Sequence, residues 1–366
     1  MIFKTKKAII IIVLLLLIAI IGLIAFLIFN KKIIEFSGNP EKEYYNINIS
    51  TEFKPDSLSW KEIKPEGEYW SGRDSQAVAV FKGKIWLSGG VEGGKVVPPP
   101  VYEKMNHPSD LWVSSDLKKW EKISDNVSWK QRRAMTTIVF KNKLWLLGGW
   151  EKNYGDTKND IWTTENGKDW KKEVSSAEWA PREGHSVVEF KGKLWIAGGV
   201  DFFARKTFND VWYSEDGKKW VEAVKSAPWT PRYDQTLTVY KDKLWLIGGY
   251  SSQTSVVGDV WVSEDGINWT LMDKPPWPAR HGHLSFDYKG LLWIIGGWCE
   301  DEEKGLNDTW YTEDGINWGK LKSEAKWYGR EDLGGIIWND KIVMMGGMAD
   351  EGKEWEWRND IWELSY

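Results

Sequence analysis

The sequence predicts an all-β fold, a β-propeller of six blades, and three observations lead there. Six tryptophans open a W-x-x-R motif (Trp70, Trp129, Trp179, Trp229, Trp277 and Trp327), spaced 59, 50, 50, 48 and 50 residues apart. That is about the length of one four-stranded propeller unit. Within each unit the same marks follow in the same order: an arginine, a double glycine, an Asp-x-Trp. Finally, 23 of the 28 tryptophans fall on four positions of this repeat.

The chain divides into an N-terminal address and one large domain. Residues 1–7 form a short tail carrying Lys4, Lys6 and Lys7, and residues 8–29 are 22 uncharged, apolar residues. As a helix that run would be roughly 33 Å long, enough to span a bilayer. It is longer than the apolar core of a secretory signal peptide and ends in Phe-Leu-Ile-Phe-Asn-Lys-Lys, without a small-x-small cleavage site. An uncleaved signal anchor is therefore expected. The positive-inside bias puts the N-terminus in the cytoplasm and the remaining domain outside it. Residues 30–55 mix polar and turn residues and read as a linker, leaving 56–366 for the propeller.

Charge excludes one class of partner. Residues 1–56 hold seven lysines and five acidic residues, which leaves 42 basic and 48 acidic side chains in the remaining 310 and a formal charge of −6. A nucleic-acid ligand calls for a basic surface. The single cysteine, Cys299, excludes an internal disulfide.

The third unit shows the order of elements. His185 to Phe190 is rich in β-formers, and Lys191-Gly192-Lys193 is a tight turn. Leu194 to Ala197 gives a second strand ended by Gly198-Gly199. After a variable stretch, Asn209-Asp210-Val211-Trp212-Tyr213 starts a third strand. Ser214-Glu215-Asp216-Gly217 turns the chain, and Trp220 lies in the fourth. The last unit stops at Trp362-Glu363-Leu364-Ser365-Tyr366, after its third strand. The segment Asp56 to Trp60 has the spacing of Asp216 to Trp220 and is expected to supply the missing strand, which also removes an exposed sheet edge.

These marks resemble the kelch family: a double glycine after the second strand (Gly89-Gly90 through Gly346-Gly347), an aromatic in the third strand, a tryptophan in the fourth, and an arginine leading into the next blade. The resemblance covers residues 57–366 and implies a kelch-type propeller. Asp-x-Trp stands where kelch repeats more often carry tyrosine. More distantly, the chain is similar to the kelch-type epimerase that acts on sialic acid and to the propeller of the copper radical oxidase, galactose oxidase. The oxidase would need a tyrosine, histidines and a crosslinked cysteine, which Cys299 supports poorly. The Ser-Glu-Asp-Gly-x-x-Trp turn resembles the sialidase Asp-box but is one residue shorter.

Positions filled alike in every unit are best explained by what every unit needs. Arg73, Arg132, Arg182, Arg232, Arg280 and Arg330 match Asp110, Asp160, Asp210, Asp259, Asp308 and Asp360 in number and face, so each arginine is expected to pair with an aspartate. The rival reading is a ring of arginines holding an anion. Function should sit where units differ. The residue after each arginine runs Asp74, Arg133, Glu183, Tyr233, His281, Glu331, and the next runs Ser75, Ala134, Gly184, Asp234, Gly282, Asp332. Aromatics of the long loops, Trp150, Phe202, Tyr250, Trp298 and Trp357, share that face. Together they predict a ligand-binding mouth with aromatic walls and mixed charge, suited to a protein or a glycan.

Catalytic motifs are scarce. No nucleophile elbow, P-loop, H-E-x-x-H or dinucleotide fingerprint occurs. His281-Gly-His283 lacks the three or four convergent ligands of a metal site, and no cofactor is implied. The expected function is a membrane-anchored, extracytoplasmic binding module without chemistry of its own. The alternative is an epimerase (mutarotase) acting on an acidic sugar, with Arg182 holding the carboxylate and Glu183 or Glu331 as acid/base.

Overall fold

The computed structural model describes residues 53–96, 105–152, 155–323, 325–350, 352 and 354–366. The expected tail, anchor and nearly all of the linker lie outside these residues. A 3-10 turn at Pro55–Ser57 opens the described chain. Residues 54–366 form one compact unit built of β-strands.

Six antiparallel four-strand meanders recur among the described residues. The first comprises Ala77–Phe81, Lys84–Ser88, Leu111–Ser114 and Trp120–Ser124. The third comprises Ser186–Phe190, Lys193–Ala197, Val211–Ser214 and Val221–Val224. In the sixth, Gly334–Trp338, Lys341–Met345 and Ile361–Ser365 are joined by Ser59–Ile63 from the start of the domain. Ser59–Ile63 runs antiparallel to Ile361–Ser365, with Trp60 opposite Leu364. The first strand of each sheet packs on the first strand of the next, and that of the sixth on that of the first.

The four repeating tryptophans do four different jobs. Those of W-x-x-R are buried and meet the fourth-strand tryptophan of their sheet edge to face, for example Trp179 on Trp220 at 6.2 Å and 86°. Trp327 meets Trp60 in the same way at 5.9 Å and 85°. Such pairs add about 0.5–1.5 kcal/mol to the burial of the rings. Second-strand tryptophans donate their indole N–H to the carbonyl five residues back, as Trp195 does to Phe190 at 3.1 Å. Third-strand tryptophans donate to the aspartate two residues before them, as Trp310 does to Asp308 at 2.7 Å. That bond accounts for Asp-x-Trp: a tyrosine offers no N–H at this reach.

The six arginines are fully buried, and each forks onto the aspartate of its own sheet. Arg280 reaches Asp308 at 2.7 and 3.1 Å. Each arginine also donates to the carbonyl of the first glycine of the pair, at 2.9–3.2 Å. The second glycine's N–H donates to the carbonyl of the next sheet's arginine, from Gly90 to Arg132 through to Gly347 back to Arg73. Both glycines are left-handed, with φ near 57–68° and 93–112°. A Cβ on Gly90 would lie 2.3 Å from the Asp74 carbonyl, so only glycine fits.

Packing between sheets explains the glycines of the Asn166-Gly167 turn and the three Asp-Gly turns. A Cβ on Gly167, Gly217, Gly266 or Gly315 would meet Trp86, Trp145, Trp195 or Trp245 of the preceding sheet at 2.1–2.6 Å. The sixth sheet has Val343 at this tryptophan position, and the turn of the first sheet has Leu117 where the second to fifth have glycine. Leu117 (φ 67°) and Val343 are both buried in one apolar cluster. A smaller residue on one side is matched by a larger one on the other.

Candidate functional site

The mouth is built on a ring of backbone hydrogen bonds around the place where the six first strands begin. Ser75 N–H donates to Asp332, Asp332 to Gly282, Gly282 to Asp234, Asp234 to Gly184, Gly184 to Ala134, and Ala134 to Ser75, at 2.8–3.3 Å. All six residues are left-handed, with φ between 47° and 61°. That conformation costs Ser, Ala and Asp roughly 1 kcal/mol or more each, and the ring holds them in it. The residue just before each of them pairs antiparallel with the residue just after the double glycine. Asp74 lies opposite Val91, Arg133 opposite Trp150 and Glu331 opposite Met348. Glu183 lies opposite Val200, Tyr233 opposite Tyr250 and His281 opposite Trp298. The mouth loops are thus short ribbons that place one variable residue beside another.

A cup of about 200 Å³ opens above the ring, lined by Arg133, Glu183, Phe202, Tyr233, Asp234, His281 and Glu331 with Ser75, Ala134 and Asp332. A second cavity of about 160 Å³ lies against the same ring and the residues that follow it. Seven of the twelve residues expected at the mouth therefore line one cup.

The other five stand around it. Asp74 is fully buried, and its Oδ2 accepts from Trp357 Nε1 at 2.9 Å. Trp357 and Trp150 are buried supports, not open walls. Trp150 backs the Arg133 guanidinium at 5.0 Å and His107 at 5.1 Å. Tyr250 bridges Tyr233 and His281 at 5.3 and 5.6 Å, and Trp298 meets Trp355 at 5.3 Å. Arg182 is fully buried and bound to Asp210 at 2.6 and 2.8 Å, so it has no hand left for a substrate carboxylate. The guanidinium that lines the cup is Arg133, held by Glu183 at 3.1 Å.

Asp332 was legible as the counterpart of Asp234 yet falls outside the expected set. Ser75 and Ala134 stand in the same variable run, but their side chains gave no sign that their part is a backbone one.

Carboxyls dominate the electrostatics. Burial raises Asp74, Glu183, Asp234, Glu331 and Asp332 above the usual carboxylate range, and their mutual repulsion adds to the rise in all but Asp332. Arg133 offsets this for Asp74, Glu183, Asp234 and Asp332. Burial takes His281 down to about 4, so its Nδ1, 3.4 Å from Glu331, belongs to a neutral ring. Among the described residues no group of three or more His, Cys, Asp or Glu side chains is placed to hold a metal ion.

A carboxyl whose folded pKa is raised favours folding below its unfolded pKa, and that advantage is lost as pH rises through the folded value. Asp234→Asn is therefore expected to raise the thermal midpoint at pH 7, by about 2 °C or more. At pH 4 it should leave the midpoint nearly unchanged. Thermal melts at the two pH values check this, and a lower midpoint at pH 7 would contradict it.

A family model described as the KLHDC2/KLHL20/DRC7 Kelch-repeats domain matches residues 134–347. The solved structure of YjhT is similar in fold, with a TM-score of 0.61, 17% sequence identity, and coverage of 82% of this chain and 98% of that one. No curated protein sequence matches the chain.

Proposed function

The chain belongs to the kelch-repeat family, and from that premise we propose that it is a membrane-anchored, extracytoplasmic binding module that holds a protein or glycan partner at the mouth. In this reading residues 8–29 are the anchor. The six sheets are six blades, and Ser59–Ile63 completes the last of them. One observation carries the binding role: the side chains that differ between sheets converge on one cup, while those that repeat are consumed by the scaffold. Around the cup the surface adds Phe202 and the 83% exposed Phe203. Exposed aromatics beside a polar cup suit a partner that buries them.

A second reading has its own support. Glu183, with its raised pKa, lies against Arg133, and Glu331 lies against the neutral His281. A carboxyl with a raised pKa beside a neutral imidazole can serve acid–base chemistry on a sugar ring. Arg133 would replace Arg182 as the group for a substrate carboxylate.

The test uses the full-length chain in detergent on a glycan array and in pull-downs. Phe203→Ala and Glu331→Ala are each expected to weaken capture of the partner roughly tenfold or more, the cost of losing a central contact. Anomer interconversion of an acidic sugar, followed by NMR and abolished by Glu183→Ala, would replace the binding-module reading with the enzyme.

A further inference from the structure

We propose that the cup receives a protonated primary amine, the side chain of a lysine on a protein partner. The inference rests on the reading of the mouth as a binding surface and names what enters it.

The carboxyls of the cup are unequally served with donors. Glu183 has Arg133, Asp332 has the Ser75 hydroxyl at 3.0 Å, and Asp74 has Trp357. Glu331 and Asp234, both lining the cup, receive no hydrogen bond from any described residue. The Glu331 side chain is only 10% exposed, and its 3.4 Å approach to His281 lacks hydrogen-bond geometry. Asp74 Oδ1, wholly buried, is also without a partner. Only Asp74 Oδ1 is shut from solvent in this state, at about 1–3 kcal/mol; the Glu331 and Asp234 carboxyls face the cup, where a donor arriving from outside can reach them.

An ammonium supplies three N–H donors and one positive charge at the end of a slender stem. A cup of about 200 Å³ admits that stem. Beside Glu331, His281 begins a run of rings through Tyr250 and Tyr233 to Phe202, with centroids 5.3–5.6 Å apart. Ring faces suit an alkyl chain and attract a cation. Arg133 is paired with Glu183 and also offsets the charge of Asp234, which leaves Glu331 as the least compensated carboxyl lining the cup and the main counter-ion. Around the cup, the exposed phenylalanines give the partner's backbone an apolar seat.

Proton balance gives the test its sign. Glu331 faces Asp332, Asp74, Asp234, Glu300 and His281, while Asp234 faces Asp332, Glu183, Arg133, Asp74 and Tyr233. An ammonium beside these groups favours their ionised forms, so binding releases protons to solvent and tightens as pH rises towards that of the free amine.

The experiment is calorimetric titration of the full-length protein with Nα-acetyl-lysine N-methylamide at pH 6 and pH 8, in two buffers of different ionisation heat. The expected result is saturable binding that is tighter at pH 8 and releases protons. It should vanish when the ligand is Nε-acetylated, and weaken roughly tenfold in Glu331→Gln, the loss of one charge-assisted bond. Equal binding of the acetylated ligand, no effect of both Glu331→Gln and Asp234→Asn, or tighter binding of glucosamine or Ca²⁺ would each overturn the proposal. The acetylated ligand keeps the test valid even for a variant that misfolds. If the lysine compound fails while partner capture still depends on Glu331, the amine falls and the binding module stands; if both fail, the module falls too.

Discussion

Asp308→Ala is expected to cost about 3–5 kcal/mol of folding stability, the range for removing one member of a buried ion pair. The reason is what it strands. Arg280 is wholly buried, and the Asp308 carboxylate takes two of its N–H bonds together with the indole N–H of Trp310. Alanine leaves the guanidinium with the Gly296 and Pro278 carbonyls and no counter-charge. Burial alone would raise the Asp308 pKa, but Arg280 and Trp310 outweigh it and hold the carboxyl below the ordinary range. Its stabilising contribution is present above the unfolded pKa and is lost as pH falls below about 4. Urea unfolding at pH 7 and pH 3 measures both effects. The loss should shrink at the lower pH, and a loss under 1 kcal/mol at pH 7 would show that the pair is not what holds the sheet.

Val343→Trp is the second large effect, and its value lies in the partner change. An indole in the sixth sheet would collide with Leu117, because in the first four sheets the equivalent ring lies within 2.6 Å of a Cβ built on the next sheet's turn glycine. Overpacking of this kind costs about 1–3 kcal/mol. Leu117→Gly alone opens a cavity, at about 2–5 kcal/mol, offset by relief of the left-handed backbone of Leu117. Combined, the two changes recreate the tryptophan–glycine contact of the other sheets. The double variant should be at least about 1 kcal/mol more stable than the two losses summed. A double-mutant cycle by thermal unfolding checks the coupling, and simple additivity would mean the two residues do not share one space.

These couplings show where the sequence was informative. Strand order and the arginine–aspartate pairing were legible because they repeat, so chance was averaged over six units. Asp-x-Trp was visible as a departure, but its meaning, an indole N–H on the carboxylate that holds arginine, needed coordinates. The residues after each arginine were identifiable as variable, and seven of the expected residues meet in one cup. What failed was orientation. Trp150 and Trp357 read as open aromatics because both stand outside the repeat; tertiary packing turned them inward behind Arg133 and Asp74. Ser75 and Ala134 were identifiable as variable positions near the axis, but the backbone bonds they make leave no mark on side-chain identity.

The two rows of backbone bonds, one through the second glycines and one through Ser75, Ala134, Gly184, Asp234, Gly282 and Asp332, run in opposite senses around the axis. In the first the donor sheet precedes its acceptor in the chain, and in the second it follows. A linear array of repeats frays from its terminal units, each held by one neighbour only. In the closed propeller proposed above, every junction has the same two latches and no unit is terminal, so losing any one sheet breaks four such bonds at once. Local opening is thereby discouraged everywhere along the axis, and the freedom to vary passes to the residues after the arginines, five of which line the cup.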